Sequence, residues 1–134
     1  MSECRRILRA DGVIRIATPD LARVVQDTYL QDEADQKSRD YVAHMNSTNP
    51  DIPDRDRSNP VYAVNRIVRD WGHTFLYDER TLTQLLLEEG FSEIVRSTPG
   101  HSEHPELVGV ERHQEEIGED LNDFETMVLE AVAP

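Results

Sequence analysis

The sequence predicts an α/β fold, and three observations carry that expectation. The run Val13-Ile14-Arg15-Ile16-Ala17 is short and rich in β-branched residues, and Thr18-Pro19-Asp20 closes it with a helix-opening turn. Leu82, Leu85 and Leu86 form one helical stripe that Gly90 stops, after which Ile94 and Val95 centre a second strand over residues 92–97. Phe124 to Val132 alternates between two apolar faces and reads as a third strand. Strand, tight turn and helix in this succession are the mark of α/β architecture.

Taken in order, residues 2–10 carry Cys4, Ile7 and Leu8 on one side and arginines on the other, as the last turns of a helix ended by Asp11-Gly12. The 13–17 run is apolar on both faces, the pattern of a buried parallel strand. Beyond Asp20, Leu21, Val24, Val25 and Thr28/Tyr29 fall at helical spacing. From Gln31 to Asn59 the chain is polar. Tyr41, Val42 and Met45 mark a weak helix there, and 46–59, rich in Asn, Asp, Ser and Pro, reads as a long surface loop of the kind that covers a substrate site.

Asn59-Pro60 starts a helix, with Asn as cap and Pro in the first position. Val61, Val64, Ile67 and Val68 line one face of it as far as Asp70, and Trp71-Gly72-His73 breaks the pattern. Asp78 caps the leucine helix, and Phe91 is expected to fold back on Leu86 around a left-handed Gly90, as in a Schellman ending. Glu111 to Asp123 reads as a polar loop before the last strand. The 134 residues suffice for a single domain over 1–134.

Composition narrows the function classes. With 37% hydrophobic and 31% charged residues, the chain can build a modest core and stay in water. A formal net charge of −13 repels phosphate backbones, so no nucleic-acid partner is expected. No apolar stretch approaches the ~20 residues of a membrane helix, and Met1 to Arg6 contains no apolar signal core. Cys4 is the one cysteine, read as a partly buried structural thiol, so no internal disulfide is expected and the expected location is the cytoplasm.

The motifs also carry a family resemblance. The run from Arg5 to Leu21, Arg-Arg-Ile-Leu-Arg-Ala-Asp-Gly-Val-Ile-Arg-Ile-Ala-Thr-Pro-Asp-Leu, resembles the helix, turn and strand around the fifth strand of class I, Rossmann-like, S-adenosylmethionine-dependent methyltransferases. The family's usual Pro-Gly is replaced here by Ala10-Asp11. Phe75-Leu76-Tyr77-Asp78 with Leu82 to Phe91 resembles the run before strand six, and Glu125 to Ala131 resembles strand seven.

That resemblance implies a partial Rossmann-like fold: a three-stranded mixed sheet of the family's strands five, seven and six, with strand seven antiparallel, packed with helices. It also implies an absence. The family binds its cofactor on a glycine-rich turn after the first strand, and none of the six glycines here stands in a G-x-G arrangement. The expectation is therefore a methyltransferase-like protein without the cofactor-binding half, inactive alone. No residue inherits cofactor binding, and S-adenosylmethionine enters only if a partner supplies the missing half. Strand 13–17 would then be an exposed edge, suited to a homodimer or to a separate N-terminal half.

Ligands of open α/β sheets bind beyond the carboxyl ends of the strands. Thr18 and Asp20 follow the first strand directly, and with Trp71 they are candidate substrate-binding residues; the plainer role is a helix cap for the first two and a core anchor for the tryptophan. His73 is the candidate catalytic base, since histidine titrates near neutrality. His104, Glu111 and His113 are expected to border the same substrate pocket. Two alternatives belong to other classes: a non-catalytic small-ligand or protein-binding module, and a small metal-dependent enzyme using the His101–His113 loop. The loop is not an H-E-x-x-H helix, and no metal ligand is assigned.

Overall fold

The computed structural model describes residues 1–30 and 35–134, so the opening of the polar stretch, residues 31–34, lies outside the described residues. The architecture is α/β, with one three-stranded sheet. Strand β1 is Val13–Pro19, β2 is Ser92–Ser97 and β3 is Thr126–Val132. Their order is β1–β3–β2, so the latest strand in the chain is the middle of the sheet. Both ladders are antiparallel, which corrects the expected mixed sheet and the reading of 13–17 as a buried parallel strand. β1 is an edge, its side chains mostly half-buried, whereas Met127 to Ala131 of β3 are buried on both faces.

Pleating sorts the two faces. Ile14 and Ile16 of β1 lie opposite Ala131 and Leu129 of β3, and these join Met127 beneath Leu82, Leu86 and Phe91. Helix α1, Ser2–Ile7, borders this layer, with Met1 and Leu8 packed on it while Ile7 stays exposed. The opposite face carries Arg15 across from Glu130, covered by the segment that follows β2.

A second apolar cluster lies among the helices. Asp20 caps α2, Leu21–Val25, which runs on into a π-helical turn at Gln26–Leu30. Helix α3, Gln36–Ser47, buries Tyr41, Val42 and Met45, and α4, Pro60–Arg69, buries Ala63 and Ile67. The stripe expected on α4 is rotated: Val61 and Val68 are exposed, and the small Ala63 is the residue that lets α4 approach its neighbours. The expected loop 46–59 is shorter than its composition indicates. Asn46 is buried at the end of α3, where its amide donates to the carbonyls of Arg57 (2.8 Å) and Asn59 (3.0 Å), and Asp54–Asp56 forms a 3₁₀ turn.

The two best-specified helix ends follow local rules. Asn59 accepts from the Val61 N–H at 3.0 Å, and Pro60 supplies the first turn. Asn59→Ala is expected to destabilise the fold by about 1 kcal/mol in urea denaturation; no measurable loss would show that the cap is idle. Helix α5, Glu79–Glu88, is capped by Asp78 through the Thr81 N–H at 2.8 Å. It closes with Gly90 at φ 87°, Gly90 N–H to the Leu87 carbonyl and Phe91 N–H to the Leu86 carbonyl, both 3.0 Å. That is the Schellman pattern, and it seats Phe91 beside Leu86 in the core.

The acidic stretch Glu111–Asp123 is not a loop throughout. It winds into α6, Gln114–Ile117, and α7, Glu119–Glu125, and α7 takes Phe124 and Glu125 out of the expected strand. Phe124 thereby turns from the sheet into the helical cluster, tilted against Tyr41 with ring centroids 4.8 Å apart. No helix among the described residues is long and apolar enough to cross a membrane.

Candidate functional site

A cleft of about 490 Å³ opens where β1 ends and β3 begins. Its walls come from the second half of α3, the end of α4 with the turn that follows, and α6. It therefore sits beyond the carboxyl end of β1, where the sheet's last backbone groups give way to side chains. Four of the residues singled out from the sequence line it: Thr18, Trp71, His73 and His113.

The turn after α4 brings two of these residues into place. Trp71 and Gly72 both take left-handed backbone conformations, at φ 58° and 76°, and so reverse the chain. Trp71 is 56% exposed, which excludes the core-anchor role. Its ring lies under the Arg66 guanidinium, 5.1 Å from carbon to centroid. Arg66 is itself fixed by Asp70 at 2.9 Å, by the Thr48 hydroxyl at 2.7 Å and by the Met45 carbonyl. His73 Nδ1 donates to the Ile67 carbonyl at 2.7 Å, which leaves Nε2 as the outer nitrogen of the ring.

Three candidates lie elsewhere. Asp20 is buried, caps α2 through the Arg23 N–H and pairs with Arg96 at 2.9 Å. His104 precedes a 3₁₀ turn, Pro105–Leu107, outside the cleft. Glu111 belongs to the polar cluster on the sheet: it pairs with Arg15, whose Nη1 also lies 2.6 Å from Glu130, and it accepts from the Gly100 N–H at 3.0 Å. Burial raises the Glu111 carboxyl, but Arg15 and the Gly100 N–H outweigh it and hold the group below the usual carboxylate range. These residues fasten the 98–111 segment to the sheet. Among the described residues no three His, Cys, Asp or Glu side chains converge on a metal position, so the His101–His113 loop does not assemble one.

Sequence reasoning missed Glu125, Tyr41 and His44. Glu125 is 4% exposed, at the end of α7, and accepts from the Tyr41 hydroxyl at 2.7 Å and from His113 Nε2 at 2.7 Å. The Glu125 hydrogen bond raises the His113 imidazolium above the usual histidine range, partly offset by burial. Burial, then Glu125, pushes the Tyr41 phenol well above its ordinary value, so Tyr41 keeps its hydrogen. The signal that could have found Glu125 is a carboxylate set in an apolar run, which needs a partner once buried. His44 lines the cleft from α3.

Compared with family models, with characterised proteins and with solved structures, the chain finds no match. The geometry of the cleft is accordingly the ground for any functional reading. It offers apolar walls at Met45 and Ile67, a buried carboxylate paired with a partly exposed imidazole, and two further imidazoles, His44 and His73.

Proposed function

We propose that this chain is the acceptor-side part of a Rossmann-like methyltransferase fold, a small-molecule-binding unit that transfers no methyl group unaided. One observation carries the reading: β3 runs antiparallel between β1 and β2, with a cleft at the carboxyl end of β1. In the family that the sequence resembles, strands five, seven and six take this order, and the acceptor lies beyond strand five. β1, as a sheet edge, offers the side on which the rest of such a sheet would pair.

The residues described do not fit an adenosyl cofactor. β1 passes into α2 through Pro19 and Asp20 with no glycine between. Four of the glycines with left-handed backbone, Gly72, Gly100, Gly109 and Gly118, face open space where an added Cβ would meet nothing within 4 Å. A dinucleotide-type cradle gathers its glycines on one turn directly after a strand, and these four lie on separate turns, none of them following β1. In the proposed assembly the cofactor site is supplied from outside the described residues.

Two measurements test this. Calorimetry of the chain with S-adenosylmethionine is expected to give no saturable heat, and light scattering is expected to show self-association through β1. Saturable binding would overturn the assignment of a silent acceptor part. A well-folded monomer at the highest soluble concentration would overturn self-pairing through the edge. A second reading, a ligand-binding module without methyl transfer, is favoured by the partnering of Glu125 within this chain alone.

A further inference from the structure

The polar groups of the cleft form a series. Tyr41 is fully buried, Glu125 is 4% exposed, and the His113 side chain is 40% exposed, so hydrogen bonds lead from a dry end to a wet one. Tyr41 donates to Glu125 Oε2, and Glu125 Oε1 receives the Nε2–H of His113. Nδ1 is then the outer nitrogen of the ring. A Glu116 carboxylate oxygen lies 4.0 Å from it, beyond hydrogen-bond distance, on a side chain 73% exposed. Met45 and Ile67 supply apolar walls, and the Trp71 indole adds a flat one.

We propose that His113, backed by Glu125 and Tyr41, seats a small, flat, largely apolar molecule bearing one acidic hydroxyl, a phenol or an enol, bound as its oxyanion. The ligand's O–H bond breaks and an N–H bond forms at Nδ1. The ring becomes an imidazolium, its Nε2–H stays on Glu125, and the ligand oxygen takes the negative charge. The net charge of the site is unchanged. A carboxylate on the far nitrogen favours the charged ring, and the low accessibility of Glu125 strengthens that effect.

The other polar groups around the cleft do not substitute. Arg66 is engaged by Asp70, Thr48 and the Met45 carbonyl. His73 is tied through Nδ1 to the Ile67 carbonyl and has no carboxylate partner of the kind Glu125 gives His113. Glu116 disfavours an anion and is screened by its exposure, while His44 on α3 is the remaining titratable group on the lining.

The proposal deepens the acceptor-site reading. Its test needs neither a methyl donor nor a second chain, so it fails independently of that reading. The probe is p-nitrophenol, whose phenolate absorbs in the visible. Titrated with the chain, bound probe is expected to ionise about one pH unit below free probe. Its methyl ether, p-nitroanisole, is expected to bind at least about tenfold more weakly. His113→Gln should abolish the ionisation shift and Glu125→Gln should reduce it, with circular dichroism confirming that each variant is folded. His104→Gln, outside the cleft, should leave it intact. Binding as the neutral phenol, equal affinity for the ether or for p-nitrobenzylamine, no binding up to the solubility limit, or an unchanged shift in His113→Gln would each overturn the proposal.

Discussion

Arg15→Met is expected to destabilise the fold by about 3–5 kcal/mol, the largest loss from any polar substitution in this chain. The Arg15 side chain is 3% exposed and faces two carboxylates, Glu111 and Glu130, whose side chains are 8% and 3% exposed. Glu130 is its cross-strand neighbour on β3, and Glu111 arrives from the covering segment. Ser102 also donates to Glu130 at 2.6 Å. Removing the guanidinium leaves two buried anions without a counter-ion, a cost far beyond what a surface pair contributes.

Acidity gives the diagnostic. In the native chain the Glu111 carboxyl is held low, so its contribution is present above the unfolded value and lost as pH falls through the folded one. Without Arg15, only the Gly100 N–H still opposes burial, the folded value rises, and the variant should lose less stability on acidification than the native chain. Urea midpoints at pH 5 and pH 8 read both effects. A loss under about 1 kcal/mol, or a pH slope equal to that of the native chain, would sink the argument.

Glu125→Ala is expected to cost about 2–4 kcal/mol. It strips the buried Tyr41 hydroxyl of its acceptor and His113 of its partner. Adding Tyr41→Phe to Glu125→Ala should recover part of the loss, because the orphaned hydroxyl goes with it; a double-mutant cycle measures the recovery. The His113 titration moves too. Its folded value is raised, so its contribution is complete below the unfolded value of 6.5 and lost as pH rises through the folded one. At 40% exposure that contribution is screened to about a few tenths of a kcal/mol. In Glu125→Ala the His113 resonance should titrate at lower pH; an unmoved midpoint would mean that the pair is not formed.

Some elements were legible because their determinants are local. The Asp78 cap, the Leu82 and Leu86 stripe, and the Gly90–Phe91 ending act within a few positions of one another. Asn59-Pro60 is the same case. Helix α7 was not legible as a helix: Phe124 and Glu125 continue the alternation of β3, and the partners that favour winding them up, Tyr41 and His113, are distant in the sequence or not yet placed by it. The direction of β1 was equally hidden, since an apolar run does not state whether its neighbour is parallel.

The candidate site divides in the same way. Thr18, Trp71 and His73 flank element ends that the sequence marks, His113 lies in what the sequence reads as a polar loop, and all four reach the cleft. Asp20 and Glu111 were drawn instead to Arg96 and Arg15, arginines that are distant in sequence. Glu125 escaped notice because its partners are Tyr41, 84 positions away, and His113, which approaches only after α6 and α7 have formed.

The position of β3 has a consequence for biosynthesis. A ribosome emits β1 and β2 well before the strand that must lie between them, and Val13 waits for Val132. Until then both earlier strands present unsatisfied backbone to the surrounding cell, and only the short helices near them offer local order. Nascent chains of this protein should accordingly be clients for chaperones until β3, Thr126–Val132, emerges, and stalled translation just short of Thr126 should yield aggregates rather than a soluble partial domain.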